Sequence, residues 1–139
     1  MANHHDAELI LKLYDLRRET VMRQARIDAF VKFQPKSFED VQAVATKPDH
    51  PANVAYRMVS SYWEMAAGLV KHKALDLELF AENCAEGLFM FAKVEPFLER
   101  IRKEIAPTAF QNMEWVVTQS PEARRRLDTI RKRLSAMAK

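Results

Sequence analysis

Two glycines in 139 residues give this chain almost no means of making the tight turns that a β-rich fold needs. Its six prolines are well spread, and no segment alternates apolar and polar residues for long enough to form a strand. Val116-Val117-Thr118 is too short to count. An apolar share of 48 % is ample for a buried core and argues against disorder. The expectation is one all-α domain over residues 1–139, an irregular bundle of about six or seven helices with residues 1–5 frayed.

Spacing assigns the helices. Leu9, Leu13, Leu16, Thr20, Ile27 and Phe30 recur at helical steps with Arg23 in the same seam, and Ile10, Tyr14, Val21 and Ala25 widen it. These positions predict one long first helix over about 6–33, roughly 42 Å at 1.5 Å per residue, ended by Pro35. Ser37 should cap a short helix whose first turn holds Glu39 and Asp40. Pro51 opens a third helix over about 51–73, with Asp49 or His50 as its cap. Shorter helices follow over about 76–83, 85–94 and 96–105. Thr108 is expected to cap a helix over 109–119, and Ser120-Pro121-Glu122 to start the last one.

The third helix poses a question in VAYRMVSSYWEMAAGLVKHK, residues 54–73. Arg57 and Glu64 are seven residues apart, which at about 100° per residue is two turns to within about 20°, so both face the same way. Asn53, Ser60, Ser61 and Lys71 lie near that side, and Ala67 and Gly68 leave room there for a second backbone. Val54, Met58, Val59, Tyr62, Met65, Ala66, Leu69 and Val70 form the other side. If another helix covers the polar stripe, Arg57 and Glu64 need partners. Arg17, Glu19, Arg23 and Asp28 of the first helix could supply an ion network, any member of which would cost ~3–5 kcal/mol to remove. The same residues could instead form a pocket in which Arg57 grips an anionic ligand and Glu64 orients it. Tyr62 and Trp63 read as core or interface anchors.

Motifs that would specify chemistry are missing. The chain has no glycine-rich phosphate loop, no nucleophile elbow and no His-Glu-x-x-His. Glu78, Glu82 and Glu86 stand at four-residue steps, but no Glu-x-x-His pair accompanies them, so they read as a solvated acidic face. Cys84 is the one cysteine and reads as a small buried hydrophobe. No cofactor or metal is implied and enzymatic activity has no positive support. The N-terminus does not read as a secretory signal, no apolar run approaches the roughly 20 residues of a membrane span, and the cytoplasm is the expected location.

The net charge of +3 is uneven. Residues 121–139 hold seven Lys or Arg against two acids, a balance of +5, which leaves −2 on the rest. Within this basic amphipathic helix, expected over 121–138, Ala123, Leu127, Ile130, Leu134 and Met137 form a narrow seam at steps of four and three. Arg124, Arg125, Arg126, Arg131, Lys132 and Arg133 spread over several sides, whereas a groove-reading helix gathers its cations on one.

Taken together, RRETVMRQAR (17–26) and RMVSSYWEMAAGLVKHKAL (57–75) resemble small bacterial helical proteins whose family is known only as a domain of unknown function. The resemblance implies a compact all-helical protein and supplies no site residues. The function expected is that of a non-enzymatic interaction protein that self-associates, as a homodimer, with Tyr62, Trp63, Leu127, Ile130 and Leu134 as anchors. One alternative is nucleic-acid or other polyanion binding through Arg124, Arg125, Arg126, Arg131, Lys132 and Arg133. Another is an anionic-ligand pocket at Arg57 and Glu64, with Arg17 and Arg23 nearby.

Overall fold

The computed structural model describes residues 1–138, and among these it contains nine α-helices, one 3-10 turn and no strand. In chain order they are α1 (His4–Leu16), α2 (Thr20–Val31), α3 (Phe38–Thr46), α4 (Asn53–Lys71), α5 (Leu77–Ala81) and α6 (Ala85–Val94). The 3-10 turn (Glu95–Phe97), α7 (Leu98–Glu104), α8 (Gln111–Gln119) and α9 (Pro121–Met137) complete the chain. Lys139, counted above among the basic residues, lies outside the described residues.

The long first helix does not exist: it is two helices. Glu19 leaves helical geometry, and its carboxylate accepts the Met22 backbone N–H at 2.9 Å to cap α2. A cap at this position satisfies an orphan donor that a continuous helix would have paired within itself. The break also redirects α2. Met22, Ala25 and Ala29 turn inward against α4, while Ile27 and Phe30, expected in the core seam, face outward. The start of α1 differs as well. Asn3 and Asp6 form a reciprocal capping box, so His4 and His5 belong to the first helical turn.

Around α4 the fold is organised. Its buried face runs through Ala55, Tyr56, Val59, Tyr62, Trp63, Ala66 and Val70, and α2 and α8 are its main neighbours. Val54 and Met65, placed above on the apolar side, are exposed. Behind this layer α6 packs on α9, which also meets α8 and α5. One core cluster runs from Leu13 to Ile130. The caps expected at Ser37 and Ser120 form, with Ser37 accepting from Asp40 N–H and Ser120 from Ala123 N–H.

Candidate interaction surface

Glu64 and Arg57 do not share a site. Arg57 is exposed and, among the described residues, has no ion-pair partner. Glu64 turns to α8. Its two carboxylate oxygens accept the backbone N–H groups of Met113 (2.8 Å) and Asn112 (3.1 Å), and its carbonyl accepts Asn112 Nδ2 at 3.1 Å. Thr108, expected to cap this helix, does not do so. Residue Phe110 takes the capping position with a left-handed φ of 58° and no side-chain bond, so the cap comes from Glu64 across space. Burial pushes the Glu64 carboxyl up from its ordinary value, against the two backbone N–H groups and Arg102, which pull it down.

A second helix does cover the small-residue stripe, and it is α8. Ala67 is fully buried, and a Cβ on Gly68 would stand 3.1 Å from Asn112 Nδ2. The ion network expected with the first helix is therefore replaced by a side-chain cap.

The remaining residues of that supposed site go elsewhere. Arg23 is exposed on α2. Arg17 lays its guanidinium over the rings of Trp63 (5.4 Å) and Tyr14 (5.7 Å), and its buried Nε has no partner among the described residues. Nearby, Trp63 Nε1 donates to Glu86 Oε1 at 3.0 Å, and Arg26 Nε donates to Glu86 Oε2 at 2.6 Å. Glu86 thus serves this triad rather than a solvated acidic face. No group of three or more His, Cys, Asp or Glu among the described residues could hold a metal.

The anchors expected at an interface are used inside the chain. Trp63 is 2 % exposed and meets Tyr62 edge to face at 5.1 Å. Tyr62 donates its hydroxyl to the Leu13 carbonyl, and burial pushes its pKa up to about 12. Leu127 and Ile130 are buried against the bundle, and Leu134 is half-buried. The narrow seam of α9 docks within its own chain because α6 offers the apolar face it needs.

Most tail cations are also engaged. Arg124 donates to the Val117 and Thr118 carbonyls at the end of α8. Arg125 and Arg126 pair with Glu122, and Arg131 pairs with Glu95 and Asp128. Among the described residues, Lys132 and Arg133 alone of the six have no such partner. These ion pairs lie at the surface, exposed or half-buried, so each contributes little to stability. Their effect is to lower the free positive charge that a polyanion would meet.

Exposed large apolar side chains are concentrated in one part of the chain. Of eleven such residues among those described, seven lie between Leu11 and Val31. On α2, Ile27 (56 % exposed), Phe30 and Val31 (58 %) line the side opposite the buried alanines. The helix therefore has two apolar faces: the small one packs on α4 and the large one meets solvent. Alanines at 25 and 29 allow the close approach to α4, while on the other face Phe30 meets the Phe89 ring at 5.4 Å and Ile27 and Val31 stay exposed to solvent.

No sequence pattern marks Lys93, flanked as it is by apolar residues in FMFAKV. It is 8 % exposed, and its Nζ donates to the carbonyls of Ala29 (3.0 Å), Phe30 (3.2 Å) and Phe33 (2.8 Å). These are carbonyls at and just beyond the end of α2, which lack helical partners. Phe30, Phe33 and Phe89 surround the ammonium. Burial pushes its pKa down from 10.5 to about 8.

Two consequences follow for a Lys93→Met variant. At pH 7 it leaves carbonyls unsatisfied, and a loss of ~2–3 kcal/mol is expected in urea unfolding. Between about pH 8 and 10.5 the folded wild type has released a proton that the unfolded chain still binds. Wild-type stability therefore gains relative to the variant as pH rises through that window. A gap between the two proteins that stays constant from pH 7 to 10 would contradict the assignment.

Fold and surface define a small all-helical protein with one core cluster and an uncovered apolar helix face. The chain belongs to the family described as a domain of unknown function (DUF4760), whose profile matches residues 2–120. The match ends where α9 begins. No curated protein and no solved structure matches the chain. No helix among the described residues is long and apolar enough to cross a membrane.

Proposed function

We propose that this chain is a non-enzymatic interaction protein that self-associates as a homodimer, with the outer face of α2 as the contact. The reading rests on one observation: Ile27, Phe30 and Val31 expose their side chains on a helix whose small residues face the core. Burying a side chain of this size is worth ~1.5–3 kcal/mol. In a two-fold dimer each residue contributes twice, because the same patch lies on both copies. The surface differs from the Tyr62, Trp63 and α9 seam expected from the sequence, since those residues are inside. The same reading places the protein in a bacterial cytoplasm, consistent with a single cysteine that is fully buried.

The test compares two pairs of substitutions by sedimentation equilibrium. Ile27→Glu with Val31→Glu should weaken dimerisation by roughly 100-fold or more. Val54→Glu with Met65→Glu places the same charge on equally exposed residues of α4 and should leave it unchanged. Equal effects from both pairs, or none from the α2 pair, would remove the contact from α2.

A further inference from the structure

Beside the end of α2 lies an open groove of about 350 Å³, near the lower end of the volumes that hold small ligands. Three elements build its walls. The segment after α2 contributes Gln34, Pro35 and Lys36, the 3-10 turn contributes Pro96 and Phe97, and the last turns of α9 contribute Leu134 and Met137. Phe30, Ala92 and Lys93 complete the apolar part.

Each wall is held in place by a polar clamp. Lys93 ties α6 to the end of α2 through its three carbonyl bonds. Gln34 Nε2 donates to the Val31 carbonyl at 3.1 Å, which fixes the segment after α2. Arg131 Nε donates to Glu95 Oε1 at 2.9 Å, which holds α9 against the 3-10 turn. A groove fixed on three sides does not have to be ordered by its ligand.

Among the described residues its charge has one sign. Of the twelve lining residues two are lysines and none is acidic. The Lys93 donors are all engaged with carbonyls, so it offers a positive field rather than a hydrogen bond. Lys36 is exposed at the rim and, among the described residues, has no ion-pair partner. Its ammonium is free to meet an anion whose apolar body lies against Phe97, Leu134 and Met137.

We infer that this groove binds a monocarboxylate with a short apolar tail, the carboxylate on Lys36 and the tail along α9. The site is independent of the self-association surface except for Phe30, which borders both.

The probe is octanoate, titrated at low salt into full-length protein carrying ¹³C-methyl methionine and followed at the Met137 methyl signal. Octylammonium and octanol serve as cationic and uncharged counterparts of the same tail. Octanoate should shift Met137 saturably and bind at least fivefold more tightly than either counterpart. Lys36→Glu, a surface change that leaves the core intact, should weaken octanoate at least fivefold. The Ile27→Glu, Val31→Glu protein should keep the response, since neither residue lines the groove; this separates failure of the groove from failure of the dimer. Equal affinity for all three probes, an unmoved Met137 signal, or unchanged octanoate affinity in Lys36→Glu would each overturn the assignment.

Discussion

Trp63→Ala is expected to lower the unfolding free energy by ~3–5 kcal/mol, a large part of what a domain of this size possesses. The indole is 2 % exposed and is packed on several sides. Tyr62 meets it edge to face, the Phe80 ring lies 6.1 Å away, and Arg17 covers its outer side. Gly87 of α6 approaches so closely that a Cβ there would stand 2.9 Å from the ring. At that position α6 has no side chain with which to fill the space left by alanine. Glu86 would also lose one of its two donors while remaining half-buried beside Arg26. Trp63→Phe separates the terms, since it keeps most of the packing and removes the N–H, and should cost about 1–2 kcal/mol. Urea unfolding followed by circular dichroism measures both. A Trp63→Ala protein as stable as the wild type would mean that α4 and α6 do not meet through this ring.

Leu127→Ala should cost ~2–5 kcal/mol, whereas Lys132→Ala and Arg133→Ala should each change stability by less than about 0.5 kcal/mol. All three lie on α9, the helix whose charge suggests a nucleic-acid arm and whose seam suggests docking. Leu127 is 0 % exposed, one turn from Ile130 and Ala123, which are also buried, and the helix is closed at its start by Ser120. A free arm would tolerate all three changes equally. The contrast therefore decides whether the residues beyond the family match are part of the core. Unfolding midpoints that coincide for Leu127→Ala and Lys132→Ala would show that α9 is not docked.

Where the local sequence contains both the signal and its partner, the fold was legible. Ser37 and Ser120 cap because their acceptors and donors are three residues apart, and the span 85–94 matches α6 because its breaks are local. The errors have a common form. Glu64 caps α8 from 48 positions away, so the Thr108 side chain, which the local sequence marks as the cap, caps nothing there. The break at Arg17–Glu19 came from a Glu side chain acting as an N-cap, a weaker local signal than the unbroken periodicity around it.

In α2 the ranking by size misled. Ile27 and Phe30 outrank Ala25 and Ala29 as core candidates, but close packing on α4 requires the alanines. The signal was present as two apolar stripes on one short helix. Lys93 is the opposite case. A lone lysine between Ala92 and Val94 carries no pattern, and only the fold brings three carbonyls, at and just beyond the end of α2, to its ammonium.

If the outer face of α2 meets a second copy, the mass of the unmodified protein in solution reveals it. Light scattering behind size exclusion, over a wide range of loading concentrations, should give twice the single-chain mass of 16.1 kDa at the upper end and fall toward one chain on dilution. A single-chain mass at the highest concentration would contradict the claim and leave Ile27, Phe30 and Val31 to a different partner.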